Sequence, residues 1–124
     1  MIQVVRQYEV KEAFREMFEL AYGPGGAWSR LFGSSPGYRG TVLLRDAHHP
    51  HRYLSVDSWE AEDLHQAFLM EHSDEYSSMG KALREWTDAE SQLGVYKLLA
   101  EATVRPRTGR GRAGARAKGR TGGP

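Results

Sequence analysis

Arg52-Tyr53-Leu54-Ser55-Val56-Asp57-Ser58-Trp59 reads as a β-strand with two unlike faces. Leu54 and Val56 point one way; Tyr53, Ser55, Asp57 and Trp59 point the other. A face that mixes aromatic rings with a hydroxyl and a carboxylate suits a pocket better than a tightly packed core. The preceding strand, Tyr38 to Asp46, pairs with it as a hairpin. The connection Ala47-His48-His49-Pro50-His51 is polar and broken by proline.

Working outward, Ile2 to Val10 reads as another strand. Ile2, Val4, Tyr8 and Val10 share a face that Arg6 interrupts, so that face is not dry throughout. Lys11 to Tyr22 reads as a helix, with Phe14, Met17, Phe18 and Ala21 forming one apolar stripe. Gly23-Pro24-Gly25-Gly26 ends it, and a short helical turn carrying Trp28, Leu31 and Phe32 follows. Glu60 to Glu71 forms a further helix. Glu62 and Asp63 suit its positive end, and Leu64, Ala67 and Phe68 form its apolar side. Ser73 is a candidate cap for a helix bearing Tyr76, Met79, Gly80 and Leu83. Thr87-Asp88-Ala89-Glu90 has capping-box spacing and suggests one more helical turn, and Leu93 to Leu99 a last strand.

This order predicts an α+β fold: a ferredoxin-like antiparallel four-stranded sheet with helices on one face. Strands with large residues on both faces need a second cover, and a second copy of the chain is the simplest one.

The 124 residues suit one domain, and no run approaches the roughly 18 apolar residues of a membrane span. No secretory signal is visible at the N-terminus, so a cytoplasmic protein is expected. Cysteine is absent, which excludes disulfides, thiolate metal sites and cysteine nucleophiles. The formal charge of +1 hides an asymmetry. Seven of the 17 Lys and Arg lie in residues 105–124, with no acid. Residues 1–104 therefore carry ten basic and 16 acidic residues, a net of −6. We read 1–104 as the domain and 105–124 as a disordered basic Arg/Gly-rich tail, since that segment has nothing large and apolar to bury. A solvated, weakly constrained extension is the favoured reading of it, with weak nonspecific contact with nucleic acid through phosphates as the alternative.

Several motifs are better explained as turns or solvated loops. Gly33-Ser34-Ser35-Pro36-Gly37 matches G-x-S-x-G, but the strand-turn-helix context of a nucleophile is missing. Gly109-Arg110-Gly111-Arg112-Ala113-Gly114 matches a dinucleotide fingerprint without the strand and helix it needs. His48, His49 and His51 sit in a loop with no well-spaced carboxylates, and no metal site is expected. His65 reads as a surface or rim residue. His72 sits where the helix direction changes and is a candidate base or ligand.

Three stretches carry a family resemblance. They are the first strand and helix, the segment Gly37-Tyr38-Arg39-Gly40-Thr41-Val42-Leu43-Leu44-Arg45-Asp46, and the run from Arg52 through Trp59-Glu60-Ala61-Glu62-Asp63 to Phe68. Over residues 2–99 the chain resembles the antibiotic biosynthesis monooxygenase (ABM) family of the dimeric α/β-barrel superfamily. Ala61 stands where that pattern usually has serine. Trp59 matches the family's strand tryptophan. The site asparagine of several members has no counterpart, because this chain has no asparagine.

The resemblance implies a homodimer and a hydrophobic cavity between sheet and helices. It also implies oxygenation of an aromatic or quinonoid small molecule without flavin, haem or metal. In that frame Trp59 and Tyr53 form an aromatic wall, and Ser55, Trp28 and Tyr22 complete the binding residues. Asp57 or His72 is the base, and Arg6 stabilises an anionic intermediate. Two alternatives stay open. One is a binding or stress-response module of the same fold without turnover. The other is a haem-binding relative using His72 or His65.

Overall fold

A computed structural model describes residues 1–101; the basic tail and the end of the expected domain lie outside the described residues. Four strands form one antiparallel sheet: β1 (Ile2–Val10), β2 (Tyr38–Arg45), β3 (Arg52–Trp59) and β4 (Thr87–Lys97), in the order β2-β3-β1-β4. Helices α1 (Arg15–Tyr22), α2 (Ala27–Phe32), α3 (Glu62–Glu71) and α4 (Ser73–Leu83) cover one face. This is the α+β, ferredoxin-like arrangement that the sequence predicts.

Alternation builds the covered face. Ile2, Val4, Tyr8 and Val10 of β1 and Tyr53, Ser55, Asp57 and Trp59 of β3 are all buried. The opposite face carries Leu54 and Val56, paired with Leu44 and Val42 of β2. Val42, Leu44 and Tyr96 are each about half exposed there (52%, 48% and 51%).

The core is split in two. Ile2, Val4, Phe32, Trp59 and Phe68 form one cluster; Tyr8, Val10, Phe18, Tyr22 and Tyr53 form the other. Trp28 packs against both. The α1 stripe is narrower than expected. Phe18 and Tyr22 are buried, whereas Met17 is 49% exposed.

Helix α3 comes very close to the start of β2. A Cβ on Gly37 would lie 2.6 Å from Leu64 Cβ, so glycine is required there. Rotation of α3 also corrects the sequence reading of its faces. Ala67 is exposed, and the buried side runs through His65 and Phe68. Ser73 is the first residue of α4 rather than its cap; His72 takes the cap position. The turn expected at Thr87–Glu90 is strand instead. It pairs with β1 through Val10↔Thr87, Glu9↔Ala89 and Tyr8↔Glu90, supplying the hydrogen-bond partners that edge of β1 needs. A 3-10 turn at Arg84–Trp86 precedes it, where Thr87 Oγ1 donates to the Arg84 carbonyl at 3.2 Å.

Candidate functional site

Between the sheet and the helices, where the two core clusters part, lies a cavity of about 300 Å³. Its floor is Val4, Arg6 and Tyr8 of β1 with Ser55 and Asp57 of β3. Tyr22, Trp28, Phe32, Leu69 and Tyr76 make an aromatic and apolar wall. Glu90 and Gln92 of β4 and Arg84 add polar groups.

Asp57 is the chemically unusual member. Burial pushes its carboxyl up to about 6, against the opposing effects of a hydrogen bond from Thr41 and the charge of Arg6. Thr41 Oγ1 donates to Asp57 Oδ1 at 2.6 Å, and Tyr38 is hydrogen-bonded to Thr41 in turn. Arg6 donates to Glu90 Oε2 at 2.9 Å and to Gln92 Oε1 at 3.3 Å. Burial opposes its charge, but Tyr8, Tyr76 and Glu90 more than offset that and raise its pKa, so it is cationic at any working pH. Burial likewise raises the phenols of Tyr8, Tyr22 and Tyr76, which remain neutral.

Of the residues singled out from sequence, Asp57, Arg6, Ser55, Trp28 and Tyr22 meet at this cavity. Trp59 and Tyr53 do not line it. They lie on the expected face of β3 but are 0% and 1% exposed inside the two core clusters. Trp59 packs against Phe32, Tyr38 and His65; Tyr53 packs against Phe18, and its hydroxyl donates to Glu19 Oε2 at 2.5 Å. His72 is not among the cavity-lining residues either. Its ring stacks on Phe68, and its Nδ1 lies 3.1 Å from Glu75 Oε1.

His65, read from sequence as a surface or rim residue, is buried at 8% exposure and lines the cavity. Its Nδ1 has no hydrogen-bond partner, and burial lowers its pKa, which keeps the imidazole neutral. The spacing His65, Phe68, Leu69, His72 is an i, i+3, i+4, i+7 stripe that would have found it, had histidine been counted as amphipathic. Glu90 and Gln92 were also missed, because Thr87–Gln92 shows no apolar alternation.

Among the described residues, no group of three or more His, Asp and Glu is arranged to hold a metal ion. No helix among them is long and apolar enough to cross a membrane. The serine of the G-x-S-x-G match sits in a turn, its amide donating to the Phe32 carbonyl at 2.9 Å.

No protein-family model matches the sequence, and no curated protein matches it. Solved structures do match. One from Bordetella bronchiseptica, described as a candidate antibiotic biosynthesis monooxygenase, aligns with a TM-score of 0.64 at 24% identity, over 80% of this chain and 97% of its own. One from Deinococcus radiodurans, described in the same terms, gives 0.65 at 10% identity over 86% and 100%. SnoaB from Streptomyces nogalater, described as a cofactor-independent oxygenase, gives 0.60 at 18% identity over 85% and 97%. At such identities the likeness is one of fold. The chain has the fold of the antibiotic biosynthesis monooxygenases, the family its sequence resembles.

Proposed function

We propose that this chain is a cofactor-independent oxygenase of ABM type acting on a fused-ring phenol or quinol. The observation that carries the reading is a buried carboxylate, Asp57, set with the cation Arg6 in an aromatic-walled cavity. An ordinary carboxylate is too weak a base to take a phenolic proton readily. Raising Asp57 to about 6 brings it closer to the phenol while leaving it mostly ionised at neutral pH. The aromatic wall excludes water and stacks a planar substrate.

In the proposed reaction Asp57 removes the phenolic proton. Arg6 offsets the charge of the resulting anion, which is delocalised onto a ring carbon. The anion passes one electron to dioxygen, and the radical pair combines to form a C–O bond. The peroxide then takes up a proton and loses water, leaving a second carbonyl on the ring. For a naphthol with a free para carbon, one dioxygen is consumed. One oxygen atom enters the quinone, and the other leaves as water with the phenolic and ring hydrogens. Four electrons pass from substrate to dioxygen.

A homodimer closed over the open sheet face belongs to the same proposal, as does a cytoplasmic location. The half-exposed Val42, Leu44 and Tyr96 support the dimer.

The test is oxygen uptake with 1-naphthol or a dihydroxynaphthalene and no added cofactor. Uptake should match quinone formed, rise with pH through about 6, and fall on the order of 10²- to 10⁴-fold in Asp57→Asn. Quenching of Trp28 fluorescence by the same compounds, with no uptake across a broad phenol panel, points instead to a binding module. A Soret shift on adding haem points to the haem-binding alternative.

A further inference from the structure

Strand β2 contains an irregularity that places two hydroxyl side chains together. Tyr38 pairs with Trp59, Gly40 with Ser58 and Thr41 with Asp57, so Arg39 is an extra residue in the ladder. Gly40 has φ +135°, a backbone conformation that L side chains rarely adopt. In a regular strand, residues 38 and 41 would point to opposite faces, because the side-chain period is two. The bulge puts both on the face that holds Asp57. There Tyr38 hydrogen-bonds to Thr41, and Thr41 to Asp57 Oδ1 at 2.6 Å.

The proton positions follow from chemistry. An ionised carboxylate only accepts, so Thr41 must donate to Asp57. A threonine hydroxyl has one proton, so the phenol of Tyr38 must donate to Thr41. This order also suits the protonated acid, because Oδ1 remains an acceptor in both states.

We infer that the Gly40 bulge, Tyr38 and Thr41 form a positioning device that holds Asp57 Oδ1 and leaves Oδ2 as the oxygen that takes a proton from the substrate. The inference rests on the reading of Asp57 as the base. Tyr38 and Thr41 are positioning residues. They act on the reaction through the carboxylate they hold.

The experiment follows the Asp57 side-chain carboxyl by carbon NMR against pH, its signal identified by loss in Asp57→Asn. The variants are Thr41→Val, Thr41→Ser and Tyr38→Phe. All of them keep the other titratable and charged groups of the cavity: Arg6, Tyr8, Tyr22, His65, Tyr76, Arg84 and Glu90. Thr41→Val should raise the midpoint by about one to two units, the size of a charge-assisted hydrogen bond. Tyr38→Phe should raise it less, because Thr41 is then free to turn its proton away. It retains the ring that packs on Phe32 and Trp59, so the fold survives. Thr41→Ser should titrate near wild type.

A midpoint unmoved in both Thr41→Val and Tyr38→Phe overturns the inference. Movement in Thr41→Val alone overturns the part given to Tyr38. Oxygen uptake separates this from the reading beneath it. The acid limb of the rate should shift with the midpoint in each variant. If no variant consumes oxygen, wild type included, while the midpoints move as stated, turnover fails and the positioning stands.

Discussion

Replacing Asp57 with Asn tests the electrostatics of the cavity without any substrate. In the folded chain burial holds this carboxyl at about 6, against an ordinary 3.8. Folding therefore favours the protonated acid. The associated stability is fully present below pH 3.8 and is lost as pH rises through about 6. A difference of about two pKa units amounts to roughly 3 kcal/mol, most of which falls between pH 4 and pH 7. Asparagine has the same shape and does not titrate in this range. The assay is urea unfolding of wild type and Asp57→Asn at several values from pH 4 to pH 7.5. The other carboxylates titrate alike in both proteins, so the difference between the two curves isolates Asp57. Relative to wild type, the variant should gain about 2–3 kcal/mol across that range. A difference that stays flat with pH, or one that grows toward acid, refutes the buried-carboxylate argument and with it the general base.

Trp59→Ala should cost on the order of 3–5 kcal/mol in stability, as expected for a wholly buried aromatic residue, in a denaturant melt. Trp28→Leu, at a cavity-lining position, should change the melt less and weaken quenching by naphthol ligands more. Light scattering should give twice the 14.0 kDa chain mass, and Leu44→Glu on the open sheet face should return it to the monomer value. A chain ending at Thr103 should keep the wild-type melting temperature, since residues 105–124 contain no large apolar side chain; a drop of many degrees counts against that expectation.

The elements legible in the sequence were those with a clear apolar period, β1 and β3 most cleanly. Residues 52–59 form β3 with the expected two faces, and Arg6 does mark where the apolar face of β1 opens onto the cavity. What alternation cannot give is depth along a strand. Tyr53, Ser55, Asp57 and Trp59 share a face, yet only the middle pair meets the cavity, because α1 packs over one end and α3 over the other. Where the helices sit is settled by packing far away in sequence, such as Gly37 admitting Leu64. The same holds for Thr87–Gln92. That segment is polar and unpatterned, and it becomes strand because β1 offers it a ladder. Tyr38 and Thr41 were visible as residues but not as a pair, since their proximity depends on a bulge that strand periodicity does not predict.

The split core has a dynamic consequence. Two clusters that meet mainly through Trp28 can open as separate units, each with its own free energy. A ligand between them becomes a shared wall, and its binding free energy is lost when either side opens. Amide hydrogen exchange should then slow together around Phe18 and around Phe68 when the cavity is filled, although these residues lie on different helices in different clusters.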